Sequence, residues 1–373
     1  MYDLAIIGAG INGSSVAYQF AKEGKRVIIF DMDDIASGGS GAAGAFIAPK
    51  FSKGGELKEL LHDSFVYSME FYEKNFPKLF RKTQLFHIAK DEESSKTLKI
   101  YKQNTSLELK EPLKEYLSSL EEQARVYEHI CIDAGLVNAQ ATCMAMSKSA
   151  KFVKQKVDTL VYDDGLWIIN DAFSAKSVLL ATGAYEAIIK EPYIKMRGVW
   201  GHRIDIESST PNPYSLHQNV SISPSSDGKL AIGATHNVEY HPQSAKEPYD
   251  LQEGRAELLE KASATIKLKD VKIIRDFTGL RSGSYDYMPI VGRVVLSSET
   301  LASDDINFKT KKPDYDKYTY YPNLYMINGN GGYGFVLAPY LAKMLSEHII
   351  SGKKISERLS PARFFARWAK KLD

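Results

Sequence analysis

The sequence predicts an α/β protein, a doubly wound parallel sheet interleaved with an antiparallel-sheet α+β domain. Three stretches carry that expectation. Residues 1–31 read as strand, glycine turn, helix and second strand. Ser177 to Ala181 is a further apolar strand running into Ala181-Thr182-Gly183, a small-residue turn suited to the carboxyl edge of an open sheet, where ligands bind. Residues 197–240 then alternate short strands with turns, among them Ser225-Ser226-Asp227-Gly228, as antiparallel pairing requires.

The first stretch is the most specific. Tyr2 to Ile7 is an apolar run too short for a helix. Gly8, Gly10 and Gly13 follow in the spacing G-x-G-x-x-G; Ser14 to Lys22 reads as a helix, and Arg26 to Phe30 as a strand ending at Asp31. In a Rossmann-like unit the first glycine allows the tight turn. The second lets the backbone approach a pyrophosphate, and the third lets helix and strand pack closely. The first helical N–H groups and the positive end of the helix dipole then face the phosphates. Asp31 follows Gly13 by 18 residues, near the roughly 20 expected of the acid that holds a ribose hydroxyl. The unit predicts a dinucleotide and does not choose between FAD and NAD.

Ala36 to Gly44 is almost entirely small residues. Gly and Ser make flexible linkers, but this stretch follows the ribose strand and leads into Ala45 to Pro49, where small residues let backbone lie against a flat cofactor. Helices are expected at 57–76, 139–150, 251–264 and 336–350, with charged surface helices within 91–125. Strands are expected at 85–89, 152–157 and 323–328, and a hairpin turns at Asp163-Asp164-Gly165. Residues 299–322 read as a polar surface excursion. The strand at 323–328 closes on Gly329-Asn330-Gly331-Gly332-Tyr333-Gly334.

With 373 residues, 44% hydrophobic and 25% charged, the chain has room for two domains and a sizeable core. A net charge of +2 names no partner. The last 21 residues, however, carry seven Lys/Arg against Glu357 and Asp373. Arg363, Arg367, Lys370 and Lys371 share one side of a helix there, a footprint for phosphates or a solvated face. The two cysteines, Cys131 and Cys143, form no metal-type pair, and the eight histidines show no metal spacing and read as structural or solvent-facing. The N-terminus lacks the basic segment of a signal peptide, and no run approaches the ~18 apolar residues of a membrane span. A reduced, cytoplasmic protein without a metal is expected.

Four features resemble the D-amino-acid oxidase (DAO) superfamily of FAD-dependent oxidoreductases, which includes glycine and sarcosine oxidases. They are the N-terminal fingerprint, Ala181 to Gly183, Gly279-Leu280-Arg281 with Asp286-x-x-Pro289-x-x-Gly292, and the glycine turn at 329–334. The resemblance covers nearly the whole chain. It implies an FAD-binding domain formed by 1–80, 126–190 and 276–373, and a substrate domain formed by 81–125 and 191–275. It implies FAD held by Gly8, Ala9, Gly10, Asn12, Gly13, Asp31, Met32, Gly39, Ser40, Gly41, Ala42, Ala43, Val157, Ala181, Thr182, Gly183, Gly329, Gly331, Gly332, Tyr333, Gly334 and Phe335. Arg281 and Tyr333 are the implied catalytic residues, with Arg281 gripping a substrate carboxylate bidentately. A structural ion pair of Arg281 with Asp276 or Asp286 is the alternative. Tyr285 and Tyr287 join Tyr333 as candidates for the pocket wall or for ordinary packing. No Cys follows Cys143 and no His precedes His62, so non-covalent FAD is expected.

Two stretches are similar, more narrowly, to the oxidase domain of the MnmC family of tRNA-modifying enzymes. They are Ser40 to Gly54 and Leu359 to Arg367, the latter in the pattern L-x-P-x-R-F-x-x-R. Ala42 and Tyr333 depart from that family's usual Asn and Arg. This implies FAD-dependent removal of the carboxymethyl group from 5-carboxymethylaminomethyl(-2-thio)uridine in tRNA, giving 5-aminomethyluridine and glyoxylate. The basic tail is then the expected tRNA contact. Because Met1 directly precedes the first strand, the methyltransferase half usual in that family is expected to be a separate protein acting on the product. Oxidation of free glycine, sarcosine or a D-amino acid is the alternative, and a non-catalytic flavin-binding protein is a third reading.

Overall fold

The computed structural model describes residues 1–185 and 188–372. Tyr2–Ile7 lies inside the first sheet, whose order is Ile290–Val295, Tyr320–Asn328, Phe173–Leu180, Tyr2–Ile7, Val27–Asp31, Lys151–Lys154. From Tyr320–Asn328 to Lys151–Lys154 every pairing is parallel. Ile290–Val295 adds an antiparallel edge, and the hairpin Leu160–Asp163 with Leu166–Ile169 pairs antiparallel to Phe173–Leu180.

Parallel strands covered on both faces have no polar side to show, hence their unbroken apolar runs. Leu4 and Ile6 point to one core with Val16 and Phe20 of helix Ile11–Lys22, Leu61 and Phe65 of helix Glu56–Asn75, and Leu341 and Leu345 of helix Gly334–Ser351. Ala5 and Ile7 point to the other, which the hairpin residues Trp167 and Ile169 help to close.

The second sheet runs Lys272–Gly283, Arg197–Glu207, Lys229–Gly233, Ser221–Ile222, Ser215–His217, Phe80–Ile88, His129–Val137, Phe46–Ile47, with Leu109–Lys110 beside His129–Val137. It is antiparallel except where Ser215–His217 pairs parallel with Phe80–Ile88. Helix Leu251–Ser263 supplies Leu258 and Ala262 to the core behind it. His129–Val137 and Lys272–Gly283, which the boundaries at 126 and 276 assign partly or wholly to the cofactor domain, pair in this second sheet. Strand periodicity fixes which residues share a face but not which sheet a strand joins.

Two further expectations need correction. The excursion 299–322 is not wholly surface: Tyr318 is buried, and Ile306, Phe308 and Tyr315 pack with it around Phe365 of helix Ala362–Ala369. Nor is the basic side of that helix uniformly solvated, because Arg363 is only 6% exposed.

Candidate active site

The carboxyl ends of the parallel strands and one face of the second sheet enclose a cavity of ≈ 940 Å³. At its nucleotide end the chain turns at Gly8, where φ is +110° and a Cβ would lie 2.3 Å from the Ala181 carbonyl oxygen. A Cβ on Gly13 would lie 2.0 Å from the Gly8 carbonyl oxygen, so helix Ile11–Lys22 can approach its strand this closely only without a side chain there. Ser40 Oγ accepts the Ile11 N–H at 2.9 Å, giving the helix a cap from a distant segment. Asp31 Oδ2 accepts the Ala9 N–H at 2.7 Å and Oδ1 the Asp33 N–H at 3.1 Å. A carboxylate has about four lone-pair directions, so Asp31 keeps acceptor capacity for hydroxyl groups.

Most of the expected cofactor residues meet in this cavity. Gly8, Gly10, Asn12, Asp31, Met32, Gly39, Ser40, Ala42, Ala43, Val157, Ala181, Thr182, Gly183, Gly329, Gly331, Gly332, Tyr333, Gly334 and Phe335 line it, as does Arg281. Ala9, Gly13 and Gly41 do not. Ala9 is fully buried and contributes through its N–H to Asp31. Gly13 and Gly41 are closed off by the carbonyls of Gly8 and Ala36. The stretch 36–44 is no flexible linker: Gly39–Ala42 forms a helical turn against Leu280, and Ala43 accepts a 2.9 Å hydrogen bond from Arg203 Nη1. Asn328, which sequence reasoning missed, clamps the 181–183 turn by accepting the Gly183 N–H at 3.0 Å and donating to the Gly183 carbonyl at 3.1 Å.

The other end of the cavity is cationic. Arg197–Glu207 and Lys272–Gly283 pair Arg197 with Gly283, Val199 with Arg281, Gly201 with Gly279 and Arg203 with Phe277. Directly opposed residues share a face and alternate residues repeat it, so three arginines stand on the cavity side. Arg203 and Arg281 take different roles. Arg203 stacks 3.8 Å from the Phe277 ring centroid and lies 3.7 Å from Asp205. Arg281 Nη2 donates to the Thr235 carbonyl at 3.0 Å, and the guanidinium lies against Gly201, where a Cβ would be 2.6 Å from Nη2. Neither Asp276 nor Asp286 holds Arg281. Asp276 is occupied by Arg255 and His202, and Asp286 by Arg363 and Arg367. Burial lowers the Arg281 pKa from its ordinary value, with no carboxylate among the described residues to offset it.

Burial also raises the Tyr333 phenol, which is therefore neutral at pH 7. His87, His217 and His236 line the cavity as well, against the expectation that the histidines are merely structural or solvent-facing. Burial depresses all three, His87 to about 4 and His217 to about 3. His217 Nε2 is buried without a hydrogen-bond partner among the described residues. Alternation along strands 197–207 and 272–283 was the signal that finds Arg197 and Arg203. No comparable pattern marks the histidines.

Comparison with known proteins fits this geometry. The profile of the FAD dependent oxidoreductase family, DAO, matches residues 3–348. The chain belongs to that family. As a DAO-family protein it is similar to the tRNA 5-methylaminomethyl-2-thiouridine biosynthesis bifunctional protein MnmC of Leptospira borgpetersenii, at 25% identity over 98% of this chain and 61% of that one. It is also similar to MnmC of Legionella pneumophila, at 23% identity over 97% of this chain and 57% of the relative. The chain thus spans about three-fifths of the length of these curated relatives. Among solved structures it resembles glycine oxidase from Bacillus cereus, with TM-score 0.75, 21% identity, and 96% and 97% of the two chains covered. L-proline dehydrogenase from P. horikoshii has TM-score 0.73 at 18% identity, with 97% of both chains covered. These structural likenesses establish the fold.

The residues present fit FAD. Backbone leaves no room for a side chain at Gly8 or Gly13, the helix N-terminus faces the cavity, and Asp31 stands at the end of the second strand. Among the described residues no helix is long and apolar enough to cross a membrane, and no cluster of His, Cys, Asp and Glu suits a metal ion.

Proposed function

We propose that this DAO-family protein oxidises the glycine-like side chain of 5-carboxymethylaminomethyl(-2-thio)uridine in tRNA, giving 5-aminomethyluridine and glyoxylate. The observation that carries the reading is Arg281, a half-buried arginine on the cavity wall with one backbone hydrogen bond and no carboxylate partner among the described residues. The MnmC relatives, similar over 97–98% of this chain, supply the tRNA substrate class.

Bound FAD supplies a two-electron acceptor for the amine carbon. The protein's task is to hold the substrate. Arg281 grips the carboxylate with two parallel hydrogen bonds, fixing orientation as well as affinity. Tyr333, neutral and half-buried, lines the same cavity and serves as a positioning hydrogen-bond donor. The cavity walls keep bulk water away while the amine is oxidised to an imine. Hydrolysis of that imine then cleaves the C–N bond, releasing glyoxylate and leaving the aminomethyl group on the base. A methyltransferase activity then completes the methylaminomethyl product, and a tRNA substrate suits a cytoplasmic protein. The exposed tail cations, Arg367, Lys370 and Lys371, contribute phosphate contacts.

Nucleoside analysis of tRNA from cells lacking the protein tests this reading. Carboxymethylaminomethyluridine accumulates at the expense of its aminomethyl and methylaminomethyl derivatives if it holds. An unchanged nucleoside profile favours a free small amine as substrate.

A further inference from the structure

At the mouth of the cavity the chain holds a large aromatic side chain out in the open. Tyr287 lines the cavity yet is 61% exposed, and its neighbour Tyr285 is 62% exposed. Tyr287 also adopts φ +63°, a left-handed conformation that a bulky non-glycine residue rarely takes and that marks functional sites when the surroundings enforce it. The enforcement is visible on both sides. Ser284 Oγ donates to the Met288 carbonyl at 2.7 Å, and the Tyr287 N–H reaches the Ser284 carbonyl at 3.4 Å, closing the 284–288 turn. Asp286, inside that turn, is clasped by Arg363. A strained, exposed aromatic held by so rigid a turn is poorly explained by packing, since little packs on it.

One face of the ring is already committed. The Arg197 guanidinium lies 4.7 Å from the Tyr287 ring centroid, and its Nη1 donates to the phenol oxygen at 3.3 Å. Arg197 in turn stretches over Gly283, and its Nε is buried without a partner among the described residues. Arg281 leans the other way along the same sheet face, over Gly201. Gly201 and Gly283 are four residues apart in register, so the two guanidinium groups mark the ends of a strip of roughly 13 Å. One end suits a carboxylate. The other is an aromatic platform backed by a cation, the arrangement on which unstacked bases of single-stranded RNA rest.

We infer that Tyr287, braced by Arg197, is a stacking platform for an unpaired nucleobase of the tRNA whose modified side chain reaches Arg281. The inference rests on the tRNA reading above. A substrate with a planar ring a few bonds from its carboxylate spans the strip; a free small amino acid reaches only the Arg281 end.

The test is steady-state turnover by the FAD-loaded protein of tRNA carrying carboxymethylaminomethyluridine, alongside filter binding of the same tRNA. Tyr287→Ala is expected to weaken tRNA binding and raise KM about tenfold or more, the size of losing one base–aromatic stack. The loss should fall mostly on KM. Tyr287→Phe, which keeps the ring, is expected to recover most of the affinity; Tyr287→Gly, which relieves the backbone strain and still lacks the ring, is not. If wild type turns over the tRNA but Tyr287→Ala binds it with unchanged affinity and KM, the platform is overturned while the tRNA reading survives. If wild type leaves the tRNA unchanged, the tRNA reading falls and the platform with it.

Discussion

Arg363 and Asp286, 77 residues apart, form a bidentate pair: Nε donates to Oδ2 at 2.9 Å and Nη2 to Oδ1 at 3.1 Å. The same guanidinium caps the carbonyls of Leu359, Ser360 and Met288, and Arg367 adds a contact to Asp286 at 3.2 Å. Burial pushes the Asp286 carboxyl up, but the hydrogen bond and charge of Arg363 outweigh it and hold the pKa below its ordinary value. The C-terminal helix is thereby tied to the turn that carries Tyr287.

Arg363→Ala therefore acts on stability first. Removing one partner of a buried pair costs about 3–5 kcal/mol because the other charge is left uncompensated. A thermal melt is expected to show Tm lowered by several degrees, whereas neutralising the exposed Lys370 and Lys371 should leave Tm nearly unchanged. Loss of tRNA affinity in the lysine variants at intact Tm, with a flatter salt dependence, marks phosphate contact.

Gly10→Val should give a folded but colourless protein. A Cβ at Gly10 meets only Ser40 Oγ, at 3.0 Å, so the backbone tolerates the side chain while the cradle does not. The wild type is expected to be yellow and to release intact FAD on acid precipitation. Both cysteines are buried, with burial raising Cys131 to about 11 and Cys143 to about 12, and neither lines the cavity. Flavin remaining in the pellet contradicts non-covalent binding.

Arg281→Lys keeps the charge and loses the planar fork. Activity is expected to fall by about two orders of magnitude, in line with losing a positioning contact, with the flavin spectrum and melting curve little altered. A large drop in Tm with near-normal KM instead marks Arg281 as structural.

Acid sensitivity follows from His87 and His217. Both have folded pKa values, about 4 and about 3, below the ordinary 6.5. The unfolded chain therefore binds more protons between these limits, and stability rises with pH across that window. Their contribution is complete above about 6.5 and is lost as pH falls toward 4. Denaturant midpoints measured from pH 7.5 to 4.5 should decline, and His217→Gln should flatten the decline.

The dinucleotide unit was legible because its physics is local: turn, dipole and acid lie within Tyr2 to Asp31. Arg281 was reachable for a different reason, the motif around it. What sequence could not show depends on contacts across long separations. The i, i+4 spacing of Arg363 and Arg367 places them on one helix face but says nothing of Asp286 beneath it, which makes Arg363 an internal clasp rather than a phosphate contact or a solvated cation. Likewise, His129–Val137 reads as a strand in either sheet, and only its register with Phe80–Ile88 decides. Asn328 gave no pattern at all, although its side chain holds the Ala181–Gly183 turn in place.

The most direct measurement incubates the FAD-loaded protein with tRNA carrying carboxymethylaminomethyluridine and follows both the nucleoside and released glyoxylate. Conversion to aminomethyluridine with one glyoxylate per modified base is expected, with poor oxidation of glycine, sarcosine and D-alanine, which lack the binding energy of the rest of the tRNA. Return of the tRNA unchanged, together with rapid oxidation of sarcosine or a D-amino acid, contradicts the proposed reaction.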